Sequence, residues 1–220
     1  MLVPGAGRTH TAAMGRLLLL SLSAFGLAAC GDKTFSPGTA SPASATQEPA
    51  SSAEAEEAEE QKNISQELLD KLKATTDEAE ATMLEEEIWE AWLISGSATV
   101  DTLMKRGLEY QESEDLEAAR DAFDKAIAIK PDYAEAWNRR AVLFFNDGKY
   151  DEAIADLESA ITYEPRHFGA WIGLAMIFES VDRPDAALKA YDKALEFHPM
   201  AQAAVQGKRR LDRVVNGRAL

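Results

Sequence analysis

Few side chains in this sequence could do chemistry, and they are scattered. There is one cysteine, Cys30, and there are three histidines, His10, His167 and His198. A single cysteine excludes a disulfide within the chain. It leaves a buried hydrophobe, a nucleophile or a point of modification. His167 and His198 lack metal-ligand spacing to another histidine or to a cysteine. Beside Arg166 and Pro199 they read as turn residues. Carboxylates come in runs such as Glu85-Glu86-Glu87, where a solvated helix surface explains them. No glycine-rich loop is built to cradle phosphate. The expectation is a protein that is not an enzyme and that carries no metal and no cofactor.

The neighbours of Cys30 point to its use. Arg8 and Arg16 precede an apolar run from Leu17 to Leu27, followed by Ala28, Ala29 and Cys30. A charged end, a short apolar segment and small residues make a secretory signal, assigned to residues 1–29. The stretch Leu27-Ala28-Ala29-Cys30 resembles the lipobox of bacterial lipoproteins. That resemblance implies lipidation of Cys30 after cleavage, and a chain anchored to a membrane without spanning it. Met1 and Met14 both remain possible starts. In the enterobacterial pattern an aspartate directly after the cysteine retains the protein in the inner membrane. Here the residue is Gly31, so the resemblance implies an outer-membrane lipoprotein facing the periplasm. No apolar run of 18 residues follows.

Composition supports the same picture. Thirty-eight Asp and Glu stand against 23 Lys and Arg, which argues against nucleic acid, since phosphates need a basic footprint. Residues 30–62 hold Pro37, Pro42 and Pro49 among Ser, Thr and Ala, then an acidic run from Glu54 to Glu60. Such a stretch buries too little apolar area to offset its ordering entropy and is expected to be a disordered tether.

The elements downstream are organised by a 34-residue period. Pro131, Pro165 and Pro199 are spaced by it, as are Ala119, Ala153 and Ala187, and Ala126, Ala160 and Ala194. Trp137 and Trp171 obey it too. Units numbered from Val100, Ala134 and Phe168 place apolar or small residues at positions 4, 8 and 11, and again at 20, 24 and 27. Position 7 joins the first stripe in helical spacing, and these two stripes mark two helices per unit. Proline at position 32 ends the second helix. Asp132 with Glu135 reads as a capping box, and Asp147-Gly148 as a turn. The set resembles the tetratricopeptide repeat; its departures are Arg106 and Arg140, where that family usually has leucine. The resemblance implies an all-α, right-handed α-solenoid of helix hairpins over 100–133, 134–167 and 168–199. Residues 63–99 read as an N-terminal helical pair or a degenerate repeat. Residues 200–220 read as a capping helix and tail. Trp89 and Trp92 read either as the seal of a terminal core or as a binding hot spot.

In the resembled family, positions 2, 5, 9 and 12 of each first helix line a concave face. The partner-binding groove implied here comprises Met104, Leu108, Asn138, Arg139, Val142, Phe145, Ile172 and Met176. Most of these are apolar, which marks a binding surface unless the helices before Val100 fill it. The expected function is a membrane-tethered periplasmic adaptor or scaffold that captures a peptide segment of a protein partner. The alternative is an assembly or pilotin-type factor for a secretion or pilus machine.

Overall fold

The computed structural model describes residues 52–217. Its regular elements are all helices: α1 (Ser52–Ala74), α2 (Glu78–Trp92), α3 (Ala98–Glu112), α4 (Leu116–Ile129), α5 (Ala134–Asn146), α6 (Tyr150–Tyr163), α7 (Phe168–Ser180), α8 (Pro184–Phe197) and α9 (Gln202–Gly217). The hairpins α3–α4, α5–α6 and α7–α8 stack in order as a right-handed α-solenoid, and α9 covers the last of them.

Each hairpin closes in the same way. Position 15 of each unit, occupied by Glu114, Gly148 and Asp182, is left-handed, with φ of 62°, 72° and 54°. The next N–H then donates back to the carbonyl of Tyr110, Phe144 or Phe178, at 2.9, 2.9 and 2.8 Å. This satisfies the last carbonyls of the first helix. Only the second unit uses glycine, which has no Cβ to strain at that angle. The units are joined by a second recurring bond. The indole N–H groups of Trp137 and Trp171 donate to the carbonyls of Pro131 and Pro165, at 2.8 and 3.0 Å.

The recurring alanines are the points of closest approach. Ala119, Ala153, Ala187, Ala126, Ala160 and Ala194 are fully buried, and Phe123, Leu157 and Tyr191 fill the space beside them. Gly107 marks the tightest contact. A Cβ there would overlap the Phe123 ring, with Cδ1 only 2.8 Å away. In an ordinary helix interior, glycine to alanine stabilises by about 1 kcal/mol. Gly107→Ala is expected to do the opposite and cost about 1–3 kcal/mol, because the buried ring has nowhere to go. Urea unfolding measures this; a more stable variant would contradict the packing.

Arg140, a departure from the repeat pattern, is accommodated by carboxylates. Its guanidinium binds Asp156 through two bonds of 2.8 and 2.7 Å and reaches Asp124 at 2.7 Å. It lies over the rings of Trp137 and Phe144. The terminal helix α9 buries Ala204 and Leu211, and Ala201 just before it is buried too. Its cations are tied to the preceding unit, Lys208 to Asp192 and Arg210 to Glu179.

Two expectations are corrected. The disordered tether was assigned as far as residue 62, but α1 begins at Ser52. The run from 53 to 60 contains only Ala and Glu, both strong helix formers, and acids near a helix start favour its dipole. Asp132 and Glu135 form no capping box. Tyr133 is the N-cap of α5 without a side-chain bond, and Glu135 is drawn into a buried network instead. Residues 63–99, read as a helical pair or a degenerate repeat, hold the end of α1 and all of α2, a helical pair that does not stack ahead of α3. It packs chiefly against α7, α8 and the inter-unit loops.

Candidate protein-binding groove

The α1–α2 hairpin lies across the first turns of α5 and α7 and the loops that precede α7 and α9. Its own core is Leu68, Leu69, Leu72, Ala81, Leu84 and Ile88, continued by Phe168, Ile172 and Phe197 of the solenoid. Trp92 stacks on His167, with centroids 4.1 Å apart and planes 14° from parallel. Trp89 stands edge-on to Phe168 at 5.4 Å and faces the guanidinium of Arg139 at 5.5 Å. Polar contacts fasten the rim. Gln66 donates to Glu164 at 2.7 Å, Arg166 pairs with Asp70 at 2.9 Å, and the Tyr133 hydroxyl donates to the Trp92 carbonyl at 2.6 Å.

Beneath the tryptophans lies a buried polar network. Glu135 is 1% exposed and His167 fully buried. The His167 Nδ1 accepts from the Ala170 N–H at 3.1 Å, capping α7. That leaves Nε2–H to donate to Glu135 at 2.9 Å. Asn138 Nδ2 also donates to Glu135, at 3.1 Å, and Arg139 pairs with it. Burial pushes the Glu135 carboxyl up, but the His167 bond and the Arg139 charge outweigh it and hold the group below the usual range. The second histidine repeats the motif: His198 is buried and its Nε2 meets Glu85 at 3.1 Å. That bond holds the Glu85 carboxyl below its ordinary value. Both histidines do sit at inter-helix turns, but as buried partners of carboxylates. The run at Glu85 is therefore only partly a solvated surface, and neither role was legible from spacing.

The eight groove residues expected from the sequence separate into three groups. Met104 is buried against Val100, Tyr133 and Ala136 and forms no open surface. Asn138 is likewise buried, on Glu135. Position 5 thus belongs to the interior in these units, Met104 in the apolar cluster of the first hairpin and Asn138 in the Glu135 network. Leu108, Arg139, Phe145 and Ile172 are half-buried: Leu108 on the first unit, Arg139 under Trp89, Phe145 beside Tyr150, and Ile172 between hairpin and solenoid. Val142 and Met176 are 36% and 44% exposed. They share position 9 on α5 and α7, which pack side by side. The hairpin therefore covers the N-terminal half of the concave face and leaves the half at Val142, Phe145 and Met176 open. Among the described residues no group of three His, Cys, Asp or Glu is placed to hold a metal ion, and no helix is long and apolar enough to cross a membrane. Cys30 and the segment before it that reads as a signal in the sequence lie outside the described residues.

Comparison with known proteins agrees with this architecture. A family model described as tetratricopeptide repeat matches residues 104–162 and 143–204. A TPR repeat-containing protein of Rhizobium etli is 42% identical over 106 residues, 45% of this chain and 52% of that protein. The chain thus spans about half the length of this curated relative. Among solved structures, the first TPR of Spaghetti (RPAP3) bound to an HSP90 peptide superposes with a TM-score of 0.53 at 20% identity, over 55% of this chain and 95% of that one. The Sgt2 TPR domain of Aspergillus fumigatus gives 0.52 at 22%, over 55% and 81%. TPR2B of yeast Sti1, in complex with an Hsp70 peptide, gives 0.50 at 25%, over 53% and 98%. Over residues 104–204 the chain is similar to the tetratricopeptide-repeat family.

Proposed function

We propose that this protein is a non-enzymatic adaptor that captures a peptide segment of a protein partner on the open half of its concave face. One observation carries this reading: Val142 and Met176 are exposed beside half-buried Phe145, on a surface the solenoid core does not need. Exposed apolar side chains that recur at one register position form a continuous stripe, and methionine adapts to varied ligands. The RPAP3 domain bound to an HSP90 peptide and the Sti1 domain in complex with Hsp70 support peptide capture as the use of such a face. The recognition differs in kind, because position 5 and position 9 of the first unit are Met104 and Leu108 and offer no cation for a terminal carboxylate.

The second part of the proposal is the anchor. Lipidation of Cys30 would tether the adaptor to a membrane on the periplasmic side, with residues 31–51 as the spacer. What supports it is the Leu27-Ala28-Ala29-Cys30 motif behind a charged, apolar leader. Palmitate labelling of the wild type, lost in Cys30→Ala, is the expected result.

Met176→Glu is expected to abolish partner capture by placing a charge in the apolar stripe. Because the side chain is exposed, the melting temperature and helical circular dichroism should stay at wild-type values. Joint loss of folding and capture would make Met176 a core residue and remove the basis of the proposal.

A further inference from the structure

The α1–α2 hairpin occupies the concave edge, but its seam is incompletely satisfied. Two clefts flank it, of about 420 Å³ between α1 and the α4–α5 loop and about 170 Å³ between α2 and α9. Three buried side-chain atoms among the described residues have no protein partner, and two of them, Trp92 Nε1 and His198 Nδ1, lie at this seam. Of the bonds that cross it, Gln66 to Glu164, Arg166 to Asp70 and Gln202 to Glu78 sit at the rim, where water competes for them, while Tyr133 to Trp92 and His198 to Glu85 lie deeper. Leu69, Leu72 and Ile88 lie in the hairpin's own core, which Phe168, Ile172 and Phe197 of the solenoid extend. The hairpin is linked to α3 only through residues 93–97, with Gly96 left-handed at φ 79°.

The contacts also describe what the edge recognises. It receives the face of α2 that carries Glu85, Trp89 and Trp92, spaced four and three residues apart. Arg139 and His167 face the indoles, and His198 faces the acid. The solenoid side supplies Arg139, Arg166, His167 and His198, with Glu164 accepting from Gln66 and Glu135 buried behind Arg139 and His167, and the hairpin side supplies Asp70 and Glu85. Gly169 completes the fit: a Cβ there would come within 2.5 Å of Trp89 Cη2, so the glycine leaves room for the indole.

We infer that the α1–α2 hairpin is a displaceable occupant of the groove edge, standing in for a partner that presents an acidic amphipathic helix with two aromatic residues three apart. This rests on the proposal that the concave face captures a protein segment. Partner binding would then begin on the open stripe at Val142 and Met176 and extend by taking the place of α2. An occupant in cis lowers apparent affinity by the fraction of time it is docked, so the hairpin sets a threshold for capture.

The test uses the full chain and a synthetic peptide of residues 78–94. In native-state hydrogen exchange, amides of α1 and α2 are expected to exchange at least tenfold faster than those of α5–α8. Gly169→Glu, which wedges Trp89 outward, is expected to raise exchange in α1–α2 alone. Fluorescence anisotropy of the labelled peptide should show at least tenfold tighter binding to Trp89→Ala/Trp92→Ala than to wild type. That binding should disappear when Gly169→Glu is added. Exchange of α1–α2 only together with α5–α8, in wild type and in Gly169→Glu, would overturn the inference, as would equal peptide binding to wild type and the double variant. If the double variant loses its helical signal, the exchange measurement on Gly169→Glu decides. An immovable hairpin combined with Met176-dependent capture would sink this inference and leave the proposed function standing.

Discussion

Glu135→Ala is expected to destabilise the protein by about 3–5 kcal/mol, the range for removing one partner of a buried charged pair. The carboxylate is 1% exposed and accepts from His167 and Asn138 while pairing with Arg139. Without it the His167 Nε2–H is buried with no acceptor, and Arg139 loses its counter-charge. Glu135→Gln keeps one acceptor oxygen and should cost clearly less. The effect has a pH signature. The folded carboxyl is held below its usual range, so its contribution is present above that range and fades as pH falls through the folded value. The gap between wild type and Glu135→Ala should therefore be full near neutrality and shrink in acid. Urea unfolding at several pH values measures it, and a gap that does not change with pH would contradict an ionised Glu135.

Arg140→Leu is expected to cost about 3 kcal/mol, although leucine is the residue the repeat pattern favours at that position. The reason is Asp156, whose side chain is 5% exposed and holds the guanidinium with both oxygens. Removing the cation strands a buried carboxylate. The other units show how the site works without the pair. Position 23 is Asp156 here, but buried Ala122 and Ala190 elsewhere, and the third unit combines Ala190 with Leu174. Arg140→Leu/Asp156→Ala rebuilds that combination and is expected to return to within about 1 kcal/mol of wild type, with strong coupling between the two changes. Equal costs for the single and double variants would mean that the pair contributes nothing specific.

Much of the solenoid was legible because each unit repeats the same local solution. An alanine at position 20 or 27 is read directly as a close helix contact, and the structure buries all six. The terminal helix was legible for the same reason, since Ala204 and Leu211 continue the apolar face. What was not legible depends on contacts between distant residues. Gln66 meets Glu164, and Glu85 meets His198, across about a hundred residues, and no local spacing encodes such pairs. Glu135 was misread for that reason. Three residues after Asp132 it has the look of a cap, but its partner is His167, one repeat away. Trp89 and Trp92 left two readings open, and the structure places them at a seam with the solenoid rather than at a terminal seal. The groove was half legible. Register located Val142 and Met176 on one surface, but it could not reveal that Met104 and Asn138 are covered.

These points bear on how the molecule works. A repeat array offers a surface whose shape is set by recurring residues and whose chemistry is set by the varying ones. Here the varying residues are apolar at positions 9 and 12 of the second unit, and the hairpin has taken the edge next to them. The open stripe is short, suited to a few side chains of a partner segment.

The most direct measurement of the central claim is photocrosslinking from that stripe in the full chain. A photoreactive side chain is placed at 142 or at 176, with position 155 on the exposed face of α6 as the control. The expected result is a discrete adduct from 142 and 176, absent from 155, and lost from both when Phe145→Glu is added while the helical signal is retained. An adduct that persists in Phe145→Glu, or that forms equally from 155, would contradict the account and move recognition off the concave face.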